Sequence, residues 1–283
     1  MNNSELAAWR PRVVALDIDG TLVDHEGVLP TEVRRSVRRV TAAGVPVVLT
    51  TGRSWHATRP VFEQLGLPSG PAVSSNGAVT VAFPPFELRN VITFNPADVI
   101  ERVLREHPSA AIAAEVVGEG YRVTRQFPDG DLTGTIEAVT VDELAGSDVS
   151  RIIVRDPESS DTEFIELAGR LGLHGVSYSV GWSAWLDIAP AGVNKATALA
   201  EVVADLGFTA ADVLAIGDGR NDIEMLGWAG RGVAVGDACA EVRAAADHVT
   251  GCFAERGTAQ ELDRWFGVRR ASRRVPEPSR LAS

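Results

Sequence analysis

The stretch "VVALDIDGTLVD", Val13 to Asp24, sets two carboxylates two residues apart behind an apolar run and follows them with Gly-Thr. "VVAL" reads as a buried strand. On an extended backbone, side chains at i and i+2 share a face. Asp17 and Asp19 are therefore expected on one side, a poor arrangement for two anions unless a positive charge lies between them. Asp and Gly are also ordinary turn residues, so a strand running into an acidic turn accounts for the stretch equally well. What the rest of the chain brings to the same place decides between the two.

From Arg12 to about Ala82 short apolar runs alternate with amphipathic helices. After "VVAL" comes a helix in "TEVRRSVRRVTAAG", with Thr31 as N-cap and Gly44 as its stop. Then follow a strand in "VPVVLT", a helix in "SWHATRPVFEQLG" and a strand in "PAVSS". The same rhythm returns after Asn194: helix "NKATALAEVVADLG", strand "VLAIG", helix "NDIEMLGWA", strand "GVAV", helix "ACAEVRAAA", then "DHVT". Strands that are apolar throughout and alternate with helices predict a parallel sheet covered on both faces, an α/β core. The middle differs. "PFELRNVITF", "AAIAAEVVGEGYRVTRQF", "SRIIVRD" and "GVSYSVGWSAWLDIAP" read as adjacent strands with hairpin turns near Gly120 and Gly181, joined by a helix in "ESSDTEFIELAGRLG". The expectation is a discontinuous core, residues 1–82 and 191–267, with an inserted α+β domain over 83–190. The basic, Pro-containing tail over 268–283 reads as disordered and solvated, a phosphate or membrane tether being the other reading.

Composition narrows the function classes. A chain of 283 residues with 45% apolar and 23% charged residues has material for one large or two ordinary domains and shows no global disorder. A net charge of −11 argues against a nucleic-acid surface, which needs clustered Lys and Arg. It leaves phosphorylated small molecules open, since these need only a local cation. Cys239 and Cys252 form neither a metal spacing nor a disulfide framework, which fits a reducing compartment. The first residues lack the apolar core of a signal peptide, and no run approaches the ~18 apolar residues of a membrane span. A soluble cytoplasmic chain, monomeric or weakly homodimeric, is expected.

In an open parallel sheet, ligands bind beyond the carboxyl ends of the strands. Those ends carry Asp17, Asp19, Gly20 and Thr21; Thr50, Thr51, Gly52 and Arg53; Ser75, Asn76 and Gly77; and Asp218, Gly219, Arg220, Asn221 and Asp222, with Lys195 opening the helix before the last strand. Carboxylates, hydroxyl and amide donors and one lysine on a single edge suit Mg2+-dependent phosphoryl transfer. Mg2+ takes carboxylates, waters and a phosphate oxygen, and it would neutralise the acidic pair. An aspartate can serve as covalent nucleophile, a second carboxyl as proton donor and then base. Thr51, the amides beside it and Lys195 would bind the equatorial phosphoryl oxygens.

"DIDGT", "TTGR", "SNGA", a lysine before a helix and "GDGRND", in that order, resemble the haloacid dehalogenase-like hydrolase superfamily, and within it the Cof-type sugar-phosphatase branch with an α+β cap between the second and third motifs. The likeness runs from about Val13 to Thr250. It implies a Rossmann-like core and phosphomonoester hydrolysis of a small phosphorylated metabolite, a sugar phosphate for this branch. By resemblance, Asp17 is the nucleophile and a Mg2+ ligand; Asp19 is the acid/base, with its backbone carbonyl on the metal. Thr51 and Gly52 match the phosphate-binding turn, Lys195 the lysine that neutralises nucleophile and phosphate, and Asp218 the main metal ligand of the last motif. Asn221 matches a residue holding phosphate or a metal-bound water, and Asp222 a direct or water-mediated metal partner. Asp237 departs from the family, where relatives usually carry Asn.

Duller readings stand beside these. In these, Asn76 simply closes a turn, Arg53 is a solvated helix residue, and Trp182 and Trp185 are cap core. The cap residues expected to choose the substrate are Tyr121, Arg122 and Trp182. A phosphomutase shares the same nucleophile and metal, and a catalytically silent binding protein shares the fold; the complete set of site residues disfavours the latter.

Overall fold

The computed structural model describes residues 9–156, 158–160, 162, 166, 176–180 and 185–267. Strands β1 (Val13–Leu16), β2 (Val47–Thr50), β3 (Gly70–Ser74), β4 (Val79–Phe83), β5 (Glu87–Val91), β12 (Val213–Gly217), β13 (Arg231–Ala234) and β14 (His248–Val249) form one eight-stranded sheet, in the order β14-β13-β12-β1-β2-β3-β4-β5. It is parallel from β14 to β3 and antiparallel across β3-β4-β5.

Both faces of this sheet are buried, which is why its central strands are apolar at every position. Val14 and Leu16 of β1 pack with helices α1 (Thr31–Ala42), α2 (Trp55–Leu65) and α8 (Gly257–Phe266), through Val33, Val37, Phe62, Leu65 and Leu262. Val13 and Ala15 face the other way, onto α5 (Lys195–Asp205), α6 (Ile223–Trp228) and α7 (Ala240–Ala245), through Leu199, Val202, Met225, Leu226 and Val242. Helix α1 starts one residue earlier than expected. Pro30, its φ fixed at −62°, occupies the N-cap position, and Thr31 is already helical.

A second sheet of six strands comprises β6 (Ala111–Val116), β7 (Gly120–Val123), β8 (Thr135–Ala138), β9 (Ile152–Arg155), β10 (Val176–Val180) and β11 (Trp185–Pro190), ordered β10-β11-β9-β6-β7-β8. It is antiparallel except for the β7–β8 pair. Helices α3 (Ala97–Glu106) and α4 (Val141–Ala145) cover one face through Val99, Ile100, Val103 and Leu144.

One boundary moves. Residues 87–91, assigned from sequence to the inserted domain, pair with β4 as the edge of the first sheet, so an insertion starting at 83 would cut through that sheet. Their polar, mostly exposed character is that of an edge strand, and periodicity alone does not say which sheet an edge belongs to. The helix expected in "ESSDTEFIELAGRLG" lies almost wholly outside the described residues. The turn at Gly181 and Trp182 and the basic tail over 268–283 lie entirely outside them.

Candidate active site

The first strand ends at Leu16, and the chain turns at once. Leu22 and Val23 both donate their N–H to the carbonyl of Ile18, at 2.8 and 2.9 Å. Asp17 and Asp19 therefore do not share one side of an extended backbone, which corrects the expectation from alternation. Asp17 points inward and is 5% exposed. Asp19 points outward, half-exposed, and accepts both a 2.6 Å hydrogen bond from Nη2 and a 2.9 Å bond from Nε of Arg53. Gly20 makes the turn possible with φ +76°, and a Cβ there would collide with the Asp218 carboxylate.

Lys195 is the first residue of α5 and 1% exposed, a burial a lysine tolerates only when paired. Its Nζ donates to Asp17 Oδ1 at 2.7 Å and to Asp222 Oδ1 at 2.6 Å. Burial works to lower the ammonium's pKa, but the two carboxylates hold it above its ordinary range. Asp222 Oδ2 accepts the backbone N–H of Asp218 and Gly219 at 3.0 and 2.9 Å, so both of its oxygens are engaged. Asp218 Oδ1 accepts from the Thr21 hydroxyl at 2.7 Å; the hydroxyl of Thr258, on α8, in turn braces the Thr21 carbonyl at 2.7 Å. Oxygens of Asp17, Asp218 and Asp222 lie within 4.8 Å of one another. Burial, and next the charge of Asp222, push the Asp17 carboxyl well up and that of Asp218 to about 7. One lysine leaves this group short of positive charge.

The turn after β2 brings in Thr51 and Gly52. Thr51 is fully buried, and its Oγ1 accepts from Arg53 N at 3.1 Å, a bond that uses a lone pair of the hydroxyl and not its O–H. Gly52 packs against both Asn76 and Asn221, and a Cβ there would stand 3.1 Å from Asn76 Oδ1 and 3.3 Å from Asn221 Nδ2. Asn221 Nδ2 donates to Asn76 Oδ1 at 2.9 Å. Ser75 and Asn76 adopt left-handed φ of 52° and 53°, so this is a shaped turn and not a plain strand end. Asp237 accepts from Phe253 N at 2.5 Å and ties two loops together.

Over this edge stand residues of the second sheet, several of which sequence reasoning missed. Arg151 is buried; its Nη1 donates to the Gly52 carbonyl and its Nη2 to the Tyr121 hydroxyl at 2.7 Å. Ser75 Oγ donates to Glu115 Oε2 at 2.5 Å. Asp187 lies 3.3 Å from Arg151. Tyr121 thus faces the turn after β2. Arg122, the next residue of β7, necessarily takes the opposite face; it is exposed and paired with Glu137 at 3.1 Å, which removes it from the site. Trp182 lies outside the described residues.

An open parallel sheet with carboxylates and one buried lysine at its carboxyl edge, roofed by a second sheet, has the layout of a phosphohydrolase. The model of the haloacid dehalogenase-like hydrolases matches residues 14–262, and the chain belongs to that family as one of its phosphatases. It is similar to 5-amino-6-(5-phospho-D-ribitylamino)uracil phosphatase YcsE of Bacillus subtilis, 30% identical over 258 residues that cover 90% of this chain and 95% of the relative. It is likewise 30% identical to a phosphoglycolate phosphatase of Aeropyrum pernix, over 92% of this chain and 95% of that one. In fold it resembles the subclass IIB sugar phosphatase BT4131, with TM-score 0.76 and 22% identity over 90% of this chain and 98% of the other. No described helix is long and apolar enough to cross a membrane.

Proposed function

We propose that the chain hydrolyses a small phosphorylated metabolite through an aspartyl-phosphate on Asp17, with Mg2+ as cofactor. The observation that carries this reading is the Lys195 ammonium, buried between Asp17 and Asp222 beside Asp218. The residues fit a hard divalent cation. Asp17 and Asp218 are both pushed toward their neutral forms, and each has a second oxygen that accepts no hydrogen bond from the described residues. Asp17 and Asp218 would hold the ion directly, and Asp222, with both oxygens engaged, would fix the loop that carries Asp218. When bound, Mg2+ supplies the positive charge that this group and the phosphoryl oxygens require.

Asp17 attacks phosphorus with one carboxylate oxygen, and the ester P–O bond breaks. Asp19, turned from Arg53 toward the leaving oxygen, gives it a proton. Water then attacks the aspartyl-phosphate, Asp19 takes its proton, and inorganic phosphate leaves with the Asp17 carboxylate restored. The Thr51 hydroxyl, the backbone N–H groups of the turn and Lys195 bind the phosphoryl oxygens throughout. The substrates named for the two relatives differ: phosphoglycolate carries a carboxylate, the ribitylamino compound a polyol. The choice between such groups falls to the second sheet.

Asp17→Asn is expected to lower turnover of p-nitrophenyl phosphate by on the order of 10⁴-fold with the circular dichroism spectrum unchanged, since an amide is a poor nucleophile. Chelator should silence the wild type and Mg2+ restore it. Near-wild-type turnover by the variant would remove Asp17 from the mechanism, and full activity in chelator would remove the metal.

A further inference from the structure

The steps above give Asn76 no part, and closing the turn after β3 would account for its presence in the sequence. Its backbone agrees with that in part. Asn76 has φ 53° and ψ 29°, in the left-handed region that Gly enters freely and Asn more readily than most residues. A turn alone, however, asks nothing of the side chain, and this one is engaged. Asn76 is buried, 7% exposed, and its Oδ1 accepts from Asn221 Nδ2 at 2.9 Å. The segment that carries it is also pinned to the turn after β2. Ser75 N donates to the Arg53 carbonyl at 2.8 Å, and Asn76 N donates to the Thr51 carbonyl at 3.0 Å. Asn76 is thus held in register with Thr51 and Gly52 by the main chain, while its side chain reaches across to the loop after β12.

Asn221 takes its orientation from this bond. The two ends of a primary amide have nearly the same shape, so packing hardly distinguishes an amide from the same amide turned over by 180°; hydrogen bonding does. As observed, Asn221 Oδ1 lies toward Gly219, where a Cβ would stand 2.5 Å from it, and Nδ2 lies toward Gly52, where a Cβ would stand 3.3 Å from it. Asn76 Oδ1 takes one hydrogen of Nδ2, and the other has no acceptor among the described residues. Turned over against Asn76 Oδ1, the amide of Asn221 would set oxygen against oxygen. It would also present a lone pair to the side of the turn after β2, where an anion needs a donor.

Resting on the hydrolase reading, we propose that Asn76 is a positioning residue for phosphoryl binding: it holds the amide of Asn221 with the donor end over the turn after β2, so that the second hydrogen of Nδ2 is offered to a phosphoryl oxygen. Asn76 does not touch the phosphoryl group and acts only through Asn221. Of the two roles that resemblance leaves to Asn221, this orientation serves the phosphate.

The test measures the affinity for inorganic phosphate by isothermal titration calorimetry with Mg2+ present, together with kcat/KM for p-nitrophenyl phosphate and Tm. The proteins are the wild type, Asn76→Gly, Asn221→Ala and the double variant. Glycine suits the left-handed backbone and removes only the amide, so Tm should fall by no more than a few degrees. A hydrogen bond to an anion is worth about tenfold or more, and Asn221→Ala should weaken phosphate binding by about that factor. Asn76→Gly should weaken it about three- to tenfold, since an amide free to turn over offers its oxygen part of the time. The double variant should bind phosphate no more weakly than Asn221→Ala alone, because residues that act as one unit do not add. Losses that multiply in the double variant would overturn the assignment, since Asn76 would then act apart from Asn221. An unchanged phosphate affinity in Asn76→Gly, whatever happens to Tm, would also overturn it and leave Asn76 as a residue that closes a turn. The expected pattern of phosphate binding without turnover of p-nitrophenyl phosphate by the wild type would uphold Asn76 and overturn the hydrolase reading beneath it.

Discussion

At Asp218, site chemistry and fold stability pull in opposite directions. Burial, and then the charge of Asp222, push its carboxyl from the ordinary 3.8 to about 7, while the Thr21 hydroxyl and Lys195 pull the other way. Asp17 is shifted in the same direction. An acid whose folded pKa is raised keeps a proton that the unfolded chain has already released. The ion-free protein therefore loses stability as pH rises from about 4 through about 7 and is least favoured above that window. A cation held by the ionised pair reverses this cost but must compete with the proton below about pH 7. The rise in Tm on adding millimolar MgCl2 is accordingly expected to be several degrees larger at about pH 8 than at about pH 5.5. In Asp218→Asn the two increments should converge. Equal increments in the wild type would mean that the acidic group does not bind the ion.

Lys195 depends on how its helix begins. Asn194 caps α5: its side chain accepts from Thr197 N at 2.9 Å, while Thr197 Oγ1 accepts from Asn194 N at 3.0 Å. The cap fixes the first turn and with it the backbone from which Lys195 reaches Asp17. Asn194→Ala is expected to cost about 1 kcal/mol by denaturant unfolding. Its kcat should fall more than KM changes, because the role proposed for the lysine is at the reacting phosphoryl group; a stability loss with intact kcat would show that Asp17 and Asp222 position Lys195 by themselves. This helix was legible in the sequence, as were β1, β2, β12 and the helices between them, because residues buried on both faces leave an unbroken apolar record. Strand β5 was legible as a strand, but not its sheet, since an exposed edge such as "ELRNV" carries no imprint of its neighbour. The outward turn of Asp19 was hidden for another reason: the period-two rule holds only within a strand, and β1 stops at Leu16.

At the scale of the molecule, the core half of the site could be read from the chain because its residues stand in short motifs at strand ends. The half on the second sheet could be read only at Tyr121. Glu115, Arg151 and Asp187 lie far apart in strands that otherwise look like ordinary β sequence, and only the antiparallel register gathers them: Glu115 pairs with Tyr121, Glu115 N reaches the Arg151 carbonyl at 3.3 Å, and Asp187 pairs with Ile153. The same residues span the two sheets, through Ser75 to Glu115 and Arg151 to the Gly52 carbonyl. Parting of the two sheets would require both contacts to break. Ser75→Ala removes one bridge, leaves Arg151 in place and deletes no apolar packing. A lost hydrogen bond to a carboxylate of this kind is worth about 1.5–3 kcal/mol, which corresponds to roughly tenfold or more in the population of the parted state. Amide hydrogen exchange in the segment from Gly52 to Gly77 should quicken by about that factor, with Tm lowered by only a few degrees, because the bond joins two packed units and lies inside neither core. If exchange there is unchanged while Tm drops, Ser75 and Glu115 belong to one rigid body, and substrate must enter by a route that leaves this contact closed.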